Sequence, residues 1–109
     1  MNANLAKKKC VPCEGGVPPL SQSEAKNFLS QVSNTWQLNE NKIIGNFKFR
    51  NFALAMEFVN KVADIAEKEN HHPDIKINYN KVELELFTHA INGLSENDFI
   101  LAAKVDNIN

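Results

Sequence analysis

The sequence predicts an α+β fold: a four-stranded antiparallel sheet with three helices packed on one face, in the order αββαββα. Three observations predict it. Two pairs of short segments alternate apolar and polar residues, one long segment between them has apolar residues at helical spacing, and helix-start signals stand near both ends. Because 109 residues supply one hydrophobic core and no second one, we expect a single globular domain over residues 20–109.

The first helix and the first hairpin follow each other from Leu20. Ser21 with Glu24 is a capping-box signature, and apolar residues then recur at helical spacing, which predicts a helix of about ten residues. Two alternating runs come next, separated by the turn signal at 39–41. The residues on their common apolar face are Trp36, Leu38, Ile43, Gly45, Phe47 and Phe49. We therefore predict a β-hairpin with one apolar side.

A long central helix is predicted between Asn51 and Asn70. Its apolar residues recur at steps of three and four, opposite a charged face. We expect it to end near Asn70, because Pro73 disfavours helical geometry at the residue before it. The apolar set is Phe52, Ala55, Phe58, Val59, Val62, Ala63 and Ala66.

The second hairpin follows that helix. If Asn80-Lys81 is a two-residue turn, every apolar residue of one strand faces an apolar partner, and Lys76 lies opposite Glu85. Continued to the open end of the hairpin, this register places His72 opposite His89. Finally, Ser95 with Asp98 resembles a capping box and predicts a last helix that ends near Asp106.

Residues 1–19 lack an apolar period and contain Gly, Pro and Lys, so we expect a flexible arm. Cys10 and Cys13 form a CxxC in this arm. We expect solvated, reduced thiols, because structural zinc usually takes four ligands and a redox CxxC usually opens a helix after a strand. A bound metal or a disulfide remains the alternative.

Composition excludes several classes of function. The net charge is −1 with no basic stripe, which argues against direct nucleic-acid binding. No apolar run reaches the roughly 18 residues of a membrane helix, and the N-terminus lacks the apolar segment of a signal peptide. A cytoplasmic protein is therefore expected.

All three histidines of the chain, His71, His72 and His89, fall within one short stretch. Imidazole titrates near neutrality, so a cluster of such groups can supply both an acid and a base. His71 follows a helix C-terminus, where the dipole favours imidazolium. The alternatives are helix capping, simple exposure, or a zinc site, although adjacent histidines seldom reach one ion. Asp98 is likewise accounted for by capping alone.

Four segments resemble the signature of the pterin-4a-carbinolamine dehydratases: Glu67 to Asp74 with its His-His-Pro, Tyr79 to Val82, Thr88-His89, and Gly93 to Asp98. The resemblance implies dehydration of a pterin 4a-carbinolamine without metal or organic cofactor, and a homodimer or homotetramer. By position it implies catalytic roles for the three histidines and a substrate pocket lined by other residues. Those pocket residues are Asn70, Pro73, Thr88 and Asp98, the last of which would hold or polarise a histidine.

Two rival functions remain from the sequence. A non-catalytic module could use the same fold to dimerise or to bind a protein. A metal-dependent hydrolase could use the three histidines as ligands.

Overall fold

Four antiparallel strands form one sheet in the order β1-β2-β4-β3 in the computed structural model, which describes residues 4–10 and 18–108. The elements in chain order are α1 (Asn4–Lys7), α2 (Gln22–Leu29), β1 (Trp36–Asn39), β2 (Lys42–Lys48), α3 (Phe52–Glu69), β3 (Asp74–Asn78), β4 (Lys81–Leu86), a 3₁₀ turn (His89–Ile91) and α4 (Glu96–Asp106). Helices α2, α3 and α4 bury apolar side chains in one core with the sheet. The predicted α+β fold is confirmed.

The predicted capping box begins α2. The Ser21 amide donates to Glu24 Oε1 at 2.8 Å, and the Glu24 amide donates to Ser21 Oγ at 3.2 Å. The first of these bonds is the main cause that lowers the pKa of Glu24 below its ordinary value. The helix thus starts where the sequence predicts.

The centre of the sheet is apolar because β2 and β4 pair in register on their buried side. Ile43 faces Leu86, and Gly45 faces Leu84. Gly45 also pairs with Trp36 of β1, and a Cβ at this glycine would lie 2.8 Å from the indole ring. Only glycine leaves room for that ring, which is buried in the core as predicted.

The second hairpin corrects the predicted register. Its turn residues are Tyr79 and Asn80, so Asn78 pairs with Lys81 and the whole ladder is displaced by two residues. A shift of two keeps every side chain on its face, so the apolar pattern favours both registers equally. A contact outside the hairpin fixes the turn: Asn80 Nδ2 donates to the Phe49 carbonyl, and the Phe49 amide donates back to the Asn80 carbonyl, both at 2.8 Å.

Two predicted pairings depended on that register and are wrong. Lys76 pairs with Glu83 instead of Glu85, and its Nζ lies 3.6 Å from a carboxylate oxygen of Glu83. The prediction that His72 lies opposite His89 is wrong, because β3 begins at Asp74 and β4 ends at Leu86. The histidines are related through another part of the fold.

The structure also differs from a flexible arm over residues 4–10. Leu5 of α1 is buried in the core, and α1 lies against α4. Lys104 of α4 donates to the Ala6 carbonyl at 2.7 Å. Cys10 is part of this packed segment, whereas Cys13 lies outside the described residues, so the CxxC as a pair stays a prediction.

No helix among residues 4–10 and 18–108 combines the length and the apolar character needed to cross a membrane.

Candidate active site

The C-terminus of α3 positions His71. Asn70 adopts the left-handed conformation, with φ 52° and ψ 41°, which asparagine tolerates better than most residues. The His71 amide then donates to the Ala66 carbonyl at 3.1 Å, and the Asn70 amide donates to the Glu67 carbonyl at 3.4 Å. This is the hydrogen-bond pattern of a Schellman motif. The chain is turned back at the helix end, so the His71 backbone is fixed there.

The N-terminus of α4 positions Asp98. This residue occupies the third position of the helix, and its Oδ2 accepts from the Ser95 amide at 3.0 Å. The segment before the helix is held by the Leu20 amide, which donates to the Leu94 carbonyl at 2.9 Å. Asp98 is fully buried. A carboxylate is seldom buried unless it has hydrogen-bond or ionic partners.

Asp98 collects three hydrogen bonds from three different segments. His71 Nε2 lies 2.6 Å from Oδ1, Thr88 Oγ1 lies 2.8 Å from Oδ2, and the Ser95 amide completes the set. Thr88 Oγ1 donates a hydrogen bond to Asp98 Oδ2, and when Asp98 is ionised its oxygens only accept, so His71 then carries a proton on Nε2. Ser95 Oγ, 2.9 Å from Thr88 Oγ1, then donates to it. The network therefore joins the end of α3, the Thr88 loop and the start of α4 through one buried carboxylate.

His71 is the least exposed of the three imidazoles. Its side chain is 12% exposed, and one ring nitrogen is committed to Asp98. In the neutral ring the other nitrogen, Nδ1, is unprotonated and can accept a proton. A buried carboxylate that fixes the tautomer of a histidine in this way makes that histidine a positioned base.

His72 has a different environment although it is the next residue. Its ring is 54% exposed, and Nε2 lies 2.5 Å from an oxygen of Glu67, whose side chain is 77% exposed. An ion pair in such contact with water contributes between about 0 and 1 kcal/mol. His72 is thus accessible to a ligand but weakly held.

His89 starts the 3₁₀ turn in a loop closed on itself. The Thr88 amide donates to the Gly93 carbonyl at 2.9 Å, and the Gly93 amide donates back at 3.3 Å. A Cβ on Gly93 would lie 2.6 Å from Pro19, so this position requires glycine. The His89 ring is exposed and contacts Phe87 edge-to-face, with the ring centroids 4.9 Å apart.

The structure brings some of the predicted site residues together directly. His71, Thr88 and Asp98 are joined by hydrogen bonds, and His72 and His89 are the chain neighbours of the first two. Thr88 was predicted to line the pocket. In the structure it is buried and its hydroxyl is bound to Asp98, so it holds Asp98 in place. Asn70 has an exposed side chain and a left-handed backbone, and Pro73 is half-buried before β3. Their predicted contacts with a pterin stay predictions.

Sequence reasoning missed the part played by Ser95. It identified this residue as a helix cap, and the structure adds the hydroxyl contact to Thr88. The spacing of Thr88 and Ser95 gave no signal, because the loop closure at Thr88 and Gly93 brings them together. Within the described residues, no group of three or more His, Cys, Asp or Glu side chains could hold a metal ion.

Comparisons with known proteins agree with the fold and the motifs. The family model described as pterin 4 alpha carbinolamine dehydratase matches residues 18–108. A protein of Nitrosomonas eutropha, provisionally named a pterin-4-alpha-carbinolamine dehydratase, is 55% identical over 94% of this chain and 91% of its own length. A protein of Rickettsia canadensis with the same provisional name is 52% identical over 94% of each chain.

A solved structure shares the architecture. The crystal structure of a transcriptional coactivator/pterin dehydratase from Brucella melitensis superimposes with a TM-score of 0.74 at 36% identity, covering 80% of this chain and 94% of that one.

Proposed function

Because the chain belongs to the pterin 4 alpha carbinolamine dehydratase family, we propose that it is a hydro-lyase that removes water from 4a-hydroxytetrahydrobiopterin. The product is the quinonoid dihydropterin. In this proposal the enzyme is cytoplasmic and acts in the recycling of tetrahydrobiopterin for aromatic amino acid hydroxylation. The observation that carries it is the His71–Asp98 hydrogen bond, which fixes one imidazole as a base at the end of α3.

The reaction needs one base and one acid. The C4a–O bond breaks, the departing hydroxyl takes a proton and leaves as water, and the proton on N5 is removed. The electron pair of the N5–H bond then forms the double bond between C4a and N5. A positioned acid or base contributes about 10² to 10⁴ in rate to such a step.

The protein groups divide between those two tasks in the proposal. His71 Nδ1 accepts the N5 proton, because Nε2 is bound to Asp98 and the ring is held in one orientation. The exposed rings of His72 and His89 are the candidates for the acid that protonates the hydroxyl. Asp98 stabilises the imidazolium that forms on His71, and Thr88 and Ser95 hold Asp98.

A stopped assay on freshly generated 4a-carbinolamine tests the proposal. We expect the full-length protein to accelerate dehydration over the buffer rate, and His71→Ala to lose most of that acceleration. Lys42→Met is the matched control, because it removes a charged side chain from the sheet face, where Lys42 pairs with Glu85 at 3.0 Å. Dehydration at the buffer rate with the unchanged protein would contradict the enzyme and favour a binding module.

We also propose that the protein forms a homodimer or homotetramer. Support comes from the edge strand β3, whose Ile75 and Ile77 remain 37% and 39% exposed beside the exposed Tyr79. Apolar side chains on an open sheet edge favour pairing with another chain. Light scattering after size-exclusion chromatography distinguishes this from a monomer, and a monomer at assay concentration would contradict it.

A further inference from the structure

Glu69 is a nearly buried carboxylate close to the candidate site that the mechanism does not use. It is the last residue of α3, two residues before His71, and its side chain is only 10% exposed. Its Oε2 lies 3.6 Å from Lys104 Nζ on α4, and that lysine is 18% exposed. Charged groups of this kind are seldom buried unless they are paired, so the position needs a physical reason.

The N-terminal segment, residues 4–10, is fastened to this same ion pair. The Cys10 amide donates to Glu69 Oε1 at 2.8 Å, and Lys104 Nζ donates to the Ala6 carbonyl at 2.7 Å. Leu5 anchors the segment in the core. Glu69 and Lys104 are therefore both paired with each other and bonded to a third stretch of chain.

Two polar links then join the end of α3 to α4. One is Glu69 to Lys104, and the other is His71 to Asp98. Lys104 and Asp98 are six residues apart on one helix, which corresponds to about 9 Å along its axis. Packing in the core orients α3 up to Ala66, and beyond that residue two links at this separation restrain the last turn more than a single hydrogen bond would. The second link thus constrains where the His71 ring lies on Asp98.

We propose that Glu69 and Lys104, with the N-terminal segment bound to them, are positioning residues that hold His71 against Asp98. They act through the orientation of the α3 terminus and touch no substrate. The activity readout of this proposal rests on the proposed function, whereas the position of the His71 ring does not. Breaking a buried pair from one side leaves an uncompensated charge, so the effect should exceed that of an exposed pair.

The test uses the full-length chain with Lys104→Met, and Lys42→Met as the matched control for loss of a paired lysine. The first readout is the NMR signal of the His71 Nε2 proton, which the bond to Asp98 shields from exchange with water. We expect a sharp signal in the unchanged protein and in Lys42→Met, and a broadened or absent one in Lys104→Met. The second readout is dehydration kinetics, where we expect kcat to fall at least fivefold in Lys104→Met while KM changes less than twofold.

Two further variants keep the test decisive. Lys104→Arg retains the cation and should restore the signal and most of kcat. Glu69→Gln removes the charge at the other partner but keeps an acceptor for the Cys10 amide. It replaces Lys104→Met as the test variant if Lys104→Met does not fold. A sharp His71 signal and unchanged kcat in Glu69→Gln and Lys104→Met would overturn the proposal.

The N-terminal segment is tested through one backbone group. Cys10→Pro removes the amide that donates to Glu69, and Cys10→Ala keeps it. We expect broadening of the His71 signal in Cys10→Pro and none in Cys10→Ala. Equal spectra of these two variants would remove the segment from the positioning unit.

The NMR readout separates this proposal from the proposed function. If the unchanged protein fails to dehydrate the carbinolamine but Lys104→Met still loses the His71 signal, the enzyme assignment fails and the positioning role stands. If the unchanged protein is active and the His71 signal is the same in all variants, the enzyme assignment stands and the positioning role fails.

Discussion

His71 and His72 are adjacent in the chain, yet the fold gives them opposite environments. His71 is nearly buried and bonded to a fully buried carboxylate that two other segments also hold. His72 is mostly in contact with water and bonded to a carboxylate that is more exposed still. The two distances, 2.6 Å and 2.5 Å, are almost equal. Bond length therefore says little here, and the difference in burial decides which imidazole is fixed in one tautomer and orientation.

The largest expected loss of turnover comes from removing the nearly buried imidazole, His71. His71→Ala should lower turnover of the carbinolamine by about 100-fold or more, the value of a positioned base. His72→Ala should lower it by about tenfold, because an exposed acid can be replaced in part by water. Both rates come from the stopped assay, with circular dichroism to show that the fold is kept. Equal losses in the two variants would contradict the assignment of different roles.

A smaller effect is expected one step further from the substrate. Thr88→Val removes the hydroxyl that donates to Asp98, so a buried acceptor loses a partner at a cost of about 1 to 3 kcal/mol in unfolding free energy. Turnover should fall about two- to tenfold, in line with one hydrogen bond. Denaturant unfolding and the same assay measure both.

Thr88→Ser is the matched control, since it keeps the hydroxyl. It should retain most of the turnover. A loss as large as that of Thr88→Val would show that the methyl group, and not the hydrogen bond, is what matters at this position.

The helix end that presents both histidines gives the next prediction. Asn70→Ala should destabilise the protein by about 1 kcal/mol, because alanine is strained at the observed positive φ. Asn70→Gly should be neutral in stability, because glycine adopts this conformation freely. If the Asn70 side chain also contacts the pterin, Asn70→Gly will raise KM with stability unchanged, which separates its two predicted roles.

The smallest effect is expected on the exposed side. Glu67→Gln removes the charge beside His72 and should cost less than about 1 kcal/mol of stability, with turnover changed less than about twofold. High salt should have a similar weak effect, because exposed pairs are screened. A loss of tenfold would mean that Glu67 orients His72 as Asp98 orients His71, and the contrast between the two histidines would disappear.

The sequence predicted the fold and most element boundaries, because capping residues, Pro73 and apolar periodicity act locally. Ser21 and Glu24 begin α2, and Asn70 ends α3. The predicted register of the second hairpin was wrong by two residues. A contact between Asn80 and Phe49, which are 31 positions apart, selects the turn. Local periodicity carries no information about such a contact.

The sequence named the candidate site residues, and the family resemblance implied that Asp98 holds a histidine, but the geometry that joins these residues was predicted wrongly. A strand register was expected to bring the histidines together, whereas the fold joins His71 to Thr88 through Asp98. Asp98 could be interpreted from sequence as a helix cap, which it is, and the same carboxylate also binds the histidine. The packing of residues 4–10 was missed because Leu5 is a single apolar residue without a period.

Turnover of Asp98→Asn, compared with Glu67→Gln in the same assay, tests the central claim most directly. An amide offers one acceptor oxygen where the carboxylate offers two, so its oxygen stays with the Ser95 amide and its NH₂ faces His71. Because that NH₂ donates to Nε2, the neutral His71 ring carries its proton on Nδ1 instead. Nδ1 can then no longer act as a base. We predict a loss of about 100-fold or more in Asp98→Asn with the fold retained and nearly full turnover in Glu67→Gln. Full turnover in Asp98→Asn would contradict the claim that Asp98 makes His71 the working base.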